Sequence, residues 1–108
     1  MLVELDVFSG RPNPRFQLDE HGSRKLRQLQ SLLKPTSRAP AEPPGLGYRG
    51  FLYWYATDCV RAYHGYVKTA RAVLADPAFS VERFLLEQLP AEYAALRQRV
   101  ASELVGAK

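Results

Sequence analysis

The segment Phe8–Pro14, with the sequence FSGRPNP, limits the fold of this chain more than any other stretch. Each of its two prolines fixes φ and removes a backbone donor, and Gly10 tolerates backbone angles closed to other residues. On either side, residues 2–8 and residues 15–18 alternate apolar and polar side chains, which is the period of a half-buried strand. The sequence therefore predicts a β-hairpin with a wide loop.

A helix is predicted from Glu20 to Lys34, because leucines recur there at helical spacing with polar side chains between them. Asp19 is a suitable cap, since its carboxylate can accept hydrogen bonds from the first free amides, and Pro35 ends the helix. Residues 35–47 hold four prolines among small side chains, which predicts a flexible surface loop.

The second half begins with the strongest strand signal of the chain, the aromatic-rich stretch 48–56. Residues 59–69 predict a fourth strand, in which Gly65 is expected to mark a bulge. Ser80 is expected to cap a second helix. Pro90 separates that helix from a third, whose apolar stripe continues to the C-terminus.

These elements, in the order ββαββαα, predict an α+β fold. Hairpins of this kind favour an antiparallel sheet of about four strands, with the helices packed mainly on one face. A length of 108 residues, of which 46% are apolar and 24% charged, suits a single globular domain over residues 1–108.

Composition also bears on the cellular location of the protein and on its association with membranes, metals and other cofactors. The longest apolar run, residues 51–56, is far below the ~20 residues that a membrane-spanning helix needs. The N-terminal residues are acidic, unlike a secretory signal, and the single cysteine, Cys59, cannot form an internal disulfide. We therefore expect a cytoplasmic protein with no membrane partner, no metal and no other cofactor.

Catalytic groups are few in this sequence. Cys59 and His64 are five residues apart, so on a strand they face opposite sides. Glu4 and Asp6 share a strand face, where paired carboxylates can divide acid and base roles, although they fit the solvated side of a strand equally well. A small enzyme with Asp6 or His64 as its acid–base group is the least favoured of three hypotheses, and no catalytic residue is assigned.

An aromatic strand supplies the second hypothesis, binding of single-stranded nucleic acid. Arg49 and Gly50, followed by alternating aromatic residues, are similar to the RNA-stacking strand of RNA-recognition motifs. Phe51, Tyr53 and Tyr55 would form the stacking face, and a net charge of +4 suits an anionic partner. The alternative is that these rings form the core beneath the helices.

Two glycine–arginine segments supply the preferred site. Phe8–Pro14 ends the first predicted strand and residues 47–50 begin the third, so the segments meet if these strands are antiparallel neighbours. The side chains that would flank a small concave site there are Arg11, Asn13, Tyr48 and Arg49. Such a site suits a carboxylate or another planar anion. The alternative is a structural role, in which the arginine braces the turn by bonding to carbonyl oxygens.

The same two segments carry a resemblance to known proteins. Residues 6–14, DVFSGRPNP, and residues 46–51, LGYRGF, resemble a group of small uncharacterised bacterial and fungal proteins that carry both segments. The resemblance implies that the two segments act as one unit, and it implies no activity.

The preferred hypothesis is therefore a non-catalytic binding or accessory module that recognises a peptide, a partner protein or a small anion. A protein or peptide is the favoured partner, and single-stranded nucleic acid is the second. Binding that weakens steeply with salt would indicate nucleic acid. A pocket holding a histidine or carboxylate with a strongly shifted pKa would indicate an enzyme.

Overall fold

The computed structural model describes residues 1–8, 12–38, 47–55 and 57–106. Over these residues the strands are β1 (Leu2–Leu5), β2 (Arg15–Gln17), β3 (Lys34–Pro35), β4 (Phe51–Tyr55), β5 (Asp58–Tyr63), β6 (Tyr66–Lys68) and β7 (Val73–Ala75). The helices are α1 (Glu20–Ser31), α2 (Ser80–Glu87) and α3 (Ala94–Gly106), with a 3₁₀ turn at Ala91–Tyr93. Arg11, and residues 39–46 of the predicted proline-rich loop, lie outside the described residues.

The seven strands form one antiparallel sheet in the spatial order β2-β1-β4-β5-β6-β7-β3. The predicted α+β class and antiparallel pairing are confirmed, whereas a sheet of about four strands and the order ββαββαα are wrong. The predicted fourth strand divides into β5 and β6 at a two-residue turn, where His64 and Gly65 have φ of 55° and 84°. Gly65 therefore serves a hairpin turn rather than a bulge.

The sequence predicts neither β3 nor β7. They contain two and three residues, too few to display a period-two pattern. Lys34 lies opposite Ala75, and Pro35 lies opposite Leu74. This pairing also explains why α1 ends at Ser31 rather than at Lys34, since the chain must extend to reach β7.

One face of the sheet is buried against the helices. Along β1, β4 and β5 every second side chain is buried: Val3, Leu5, Phe51, Tyr53, Val60 and Ala62. Leu26 of α1, Leu85 of α2 and Val100 of α3 belong to the same core. The opposite face holds the intervening side chains, which include Glu4 and Arg61 and are only partly buried.

Aspartates cap the first two helices, one as predicted and one not. The Asp19 carboxylate accepts a hydrogen bond from the Gly22 amide at 2.7 Å, which confirms the predicted cap of α1. At α2 the predicted cap, Ser80, is itself bonded by its amide and hydroxyl to the Asp76 carboxylate, which also accepts from the Val81 amide. Asp76 reaches these groups because the chain turns at residues 77–79, before the helix begins.

The first and third predicted strands, β1 and β4, are antiparallel neighbours, with Val3 opposite Tyr53. Just beyond β1, the Asp6 amide donates to the Gly50 carbonyl at 2.9 Å, and the Arg49 amide donates to the Asp6 carbonyl at 2.8 Å. Two residues therefore stand opposite one, which is the arrangement of a β-bulge. The bulge places Arg49 beside the Asp6 side chain.

Replacing Gly50 with alanine is expected to lower the free energy of unfolding by about 2–3 kcal/mol, because its φ of 96° strains any residue with a Cβ. The added Cβ would lie 2.4 Å from the Ala62 carbonyl oxygen and 2.8 Å from Cβ of Tyr63. Gly47 is the matched control, since its φ is 85° but no described atom lies within 4 Å of its added Cβ. Urea denaturation should show the larger loss for Gly50→Ala; equal losses would mean that the close contact adds nothing to backbone strain.

Candidate functional site

The Asp6 carboxylate is the centre of a polar cluster on the less buried side of the sheet. One oxygen accepts from Arg49 Nη2 at 2.7 Å, and the other accepts from Arg61 Nη1 at 2.9 Å. The Asp6 side chain is 9% exposed, while those of Arg49 and Arg61 are 26% and 33% exposed. A nearly buried carboxylate thus lies between two arginines that remain partly in contact with solvent.

Asn13 extends this cluster to the end of β1. Its Nδ2 donates to Glu4 at 2.9 Å and to Asp6 at 3.2 Å. Its Oδ1 accepts from the backbone amides of Val7 and Phe8, at 3.0 and 2.7 Å. The Asn13 side chain therefore bonds to two backbone amides and two carboxylates. It does so at the end of β1, where regular sheet pairing stops and these groups need other partners.

The structure brings two of the four predicted site residues together and separates a third. Asn13 and Arg49 meet at Asp6, and Arg49 Nη2 also donates to the Phe8 carbonyl oxygen at 3.0 Å. Tyr48 extends to the opposite side, because successive residues of an extended segment point to opposite faces. Arg11 lies outside the described residues. The contacts of Arg49 are those that a brace requires, a carboxylate and a carbonyl of its own chain.

Tyr48 joins a second polar cluster, around a glutamate that the sequence does not single out. Its hydroxyl donates at 2.7 Å to Glu82 of α2, which is only 1% exposed. Glu82 also accepts from the amides of His64 and Gly65, at 2.8 and 3.1 Å. Burial, together with the charge of Glu82 and the hydrogen bond to it, raises the pKa of Tyr48 well above its ordinary value. The helix thereby holds both the 47–50 segment and the β5–β6 turn.

The aromatic residues predicted to stack on bases lie mostly in the core. Phe51 and Tyr53 are fully buried, and the Tyr53 hydroxyl donates to Gln30 of α1 at 2.7 Å. Burial, with a smaller effect of the Asp76 charge, raises the pKa of Tyr53 well above its ordinary value. Only Tyr55 is exposed, at 40%. The alternative interpretation therefore holds for Phe51 and Tyr53, whose rings belong to the buried hydrophobic core and are not accessible to a base.

The two residues predicted as acid–base groups lie in unlike surroundings. Asp6 is bonded to Arg49, Arg61 and Asn13, so its oxygens are already occupied by groups of the same chain. His64 is exposed and lies in the β5–β6 turn. Its ring centroid is 5.6 Å from that of Tyr63 and 6.1 Å from that of Phe79.

An open cleft of about 530 Å³ lies beside this turn and was not foreseen in the sequence. The polar side chains that line it are Thr36, Arg38, His64 and Tyr66, and Pro77 and Phe79 add apolar surface. None of its described lining residues is acidic. Since Arg38 and His64 are 26 positions apart and meet only through the pairing of β3, β7 and β6, no local sequence signal could have found the cleft. We call it the Arg38/His64 cleft.

Among the described residues no group of three or more histidine, cysteine, aspartate or glutamate side chains could hold a metal ion. No helix in the same part of the chain has the length and apolar character to cross a membrane. Comparison with protein-family models, with curated proteins and with solved structures found no match.

Proposed function

We propose that this chain is a non-catalytic recognition module that binds a carboxylate-bearing ligand in the Arg38/His64 cleft. The observation that carries this proposal is the lining: an arginine, a histidine and two hydroxyl groups, with no acid among the described residues. Arginine matches the planar geometry of a carboxylate. Histidine and hydroxyl side chains supply further donors.

Backbone strain around the cleft supports the same proposal. His64 and Phe79 are the only non-glycine residues in the described part of the chain with positive φ, at 55° and 58°, and both line the cleft. For a residue as bulky as phenylalanine this conformation is a genuine outlier. Strained residues concentrate at binding and catalytic sites, where the surrounding structure holds them in place.

The cleft is also held rigidly from within. Glu82 accepts from both amides of the His64–Gly65 turn, and the Gly65 carbonyl accepts from the Asp76 amide at 2.8 Å. The Phe79 ring packs so closely on Gly65 that an added Cβ there would lie 3.0 Å from it. A wall that is fixed before the ligand arrives reduces the entropic cost of binding.

The Asp6 cluster has a different part in this proposal. Arg49 and Arg61 both pair with the Asp6 carboxylate, and Arg49 Nη2 also bonds to the Phe8 carbonyl oxygen, while the buried Arg49 Nε has no partner among the described residues. We therefore assign the cluster the role of a brace of the sheet end rather than that of a ligand site. The two glycine–arginine segments still act together, because Asn13 of the first and Arg49 of the second both bond to Asp6. Tyr48 of the second segment holds Glu82 and, through it, the turn beside the cleft.

The proposal predicts saturable binding of N-acetylglycine, followed by amide chemical shifts in nuclear magnetic resonance spectra. We expect the largest changes at His64, Gly65 and Tyr66, and weak or no binding of the neutral N-acetylglycinamide. Arg38→Ala should weaken binding about 10-fold, because a hydrogen bond to a charged group contributes about 1.5 kcal/mol or more.

Lys68→Ala is the matched control for lost charge, since Lys68 is an exposed residue of β6 that does not line the cleft. Equal binding of the acid and the amide would refute the proposal. If Lys68→Ala weakened binding as much as Arg38→Ala does, the proposal would be refuted too. The carboxylate would then be attracted by the overall positive charge of the protein rather than by Arg38.

A further inference from the structure

A second open cleft adjoins the first. It has a volume of about 410 Å³ and shares Ala75 and Pro77 with the Arg38/His64 cleft. Besides these two shared residues, its apolar lining comes from Leu32, Leu33 and Ala78. We call it the Leu32 cleft.

Leu32 is the most unusual surface residue near either cleft. It follows α1 directly and is 75% exposed, the larger exposure of the two large hydrophobic side chains that are exposed in the described part of the chain. A single exposed leucine needs no explanation by itself. This one, however, lines a cleft that continues into a cationic one, so apolar and charge-binding surfaces lie side by side.

The charged residues of the Leu32 cleft would not repel a carboxylate-bearing ligand. Lys34 lines it and adds positive charge. Asp76 lines it as well, but its carboxylate is already bonded to Ser80 and to the Val81 amide. The first cleft therefore offers Arg38, His64 and hydroxyl donors, and the second offers exposed aliphatic surface together with Lys34.

We infer that the ligand is the C-terminal segment of a peptide chain, with its free carboxylate in the Arg38/His64 cleft and an aliphatic side chain in the Leu32 cleft. This inference rests on the proposed function and specifies its ligand. A small anion would use only the first cleft, whereas a peptide C-terminus carries a carboxylate and side chains on one extended backbone. Capture of a terminal carboxylate is an established mode of peptide recognition. An extended chain advances ~3.3 Å per residue, so neighbouring clefts suit groups one to three residues apart.

The test uses fluorescein-labelled peptides of seven glycine and serine residues with a free C-terminus, measured by fluorescence anisotropy. One leucine is moved through the last four positions, and a peptide without leucine is the reference. We expect at least one leucine position to raise affinity about 5-fold or more, since partial burial of a leucine contributes about 1 kcal/mol. Leu32→Ser should abolish that gain, so that the leucine peptides and the reference peptide bind this variant with equal affinity.

Tyr55→Ser is the matched control variant, because Tyr55 is the other large hydrophobic residue exposed among the described residues and does not line the Leu32 cleft. It should keep the leucine gain. The inference is overturned if no leucine position raises affinity, or if the gain survives in Leu32→Ser.

Amidated peptides separate failure of the inference from failure of the proposed function. If N-acetylglycine and the reference peptide bind but leucine adds nothing, the proposed function stands and the peptide inference fails. If leucine peptides bind equally well as amides, the carboxylate is not recognised and both the proposed function and the inference fail. If N-acetylglycine binds and none of the peptides does, the inference alone is overturned.

Discussion

Replacing Asp6 with alanine is expected to lower the free energy of unfolding by about 3 kcal/mol, because it leaves two arginines without their carboxylate partner near a buried strand end. Solvent reaches both guanidinium groups, at 26% and 33% exposure, so the loss should fall at the lower end of the range for breaking a buried ion pair. Asn13 would lose one acceptor as well. Urea denaturation followed by circular dichroism measures the change.

A double-mutant cycle of Asp6→Ala with Arg49→Ala, and a second with Arg61→Ala, would divide the loss between the two ion pairs. Asp6→Asn is the conservative control, since it keeps the side-chain volume and removes the charge. A loss below about 1 kcal/mol for Asp6→Ala, the level of an exposed ion pair, would contradict the bracing role.

The same variants decide between the two roles that the sequence allows for Arg49. If Arg49 is a brace, Arg49→Ala should lower the melting temperature and leave the affinity for N-acetylglycine unchanged at a temperature where the variant is folded. Unchanged stability with lost binding would instead place the ligand at the Asp6 cluster.

Much of the fold follows from the sequence where a pattern is long enough to have a period. Alternation over residues 2–8 and 15–18 predicts the β1–β2 hairpin, and Asp19 predicts the start of α1. The stretch 51–55 shows the limit of this reasoning. Both of its faces carry large apolar side chains, so alternation places Phe51 and Tyr53 on one face without telling which face the helices cover.

The candidate site is less accessible to sequence reasoning, because its parts meet through tertiary structure. The meeting of Asn13 and Arg49 follows from the antiparallel pairing of two predicted strands. Glu82 gives no such signal, since a glutamate in the first turn of an amphipathic helix normally faces solvent and favours the helix dipole. Its burial depends on a turn 17 residues earlier in the chain, which supplies an amide donor for it.

Replacing Glu82 with alanine is expected to have the largest effect on stability, a loss of about 4 kcal/mol. The change leaves three donors without an acceptor, the Tyr48 hydroxyl and the amides of His64 and Gly65, and each buried unsatisfied donor costs about 1–3 kcal/mol. Glu87→Ala is the matched control, because Glu87 belongs to the same helix and is exposed. Thermal and urea denaturation of the two variants give the comparison.

Glu82→Gln and Tyr48→Phe separate the turn from the tyrosine. Glutamine keeps the volume but offers one acceptor oxygen, so both the β5–β6 turn and the affinity for N-acetylglycine should weaken. Tyr48→Phe removes one donor and leaves the two turn amides bonded, so it should cost about 1 kcal/mol and keep the affinity. If Glu82→Ala and Glu87→Ala lose equal stability, the buried carboxylate does not hold the turn. Contacts other than those of Glu82 would then have to keep the wall of the Arg38/His64 cleft rigid, because His64 keeps its positive φ only while its surroundings hold it there.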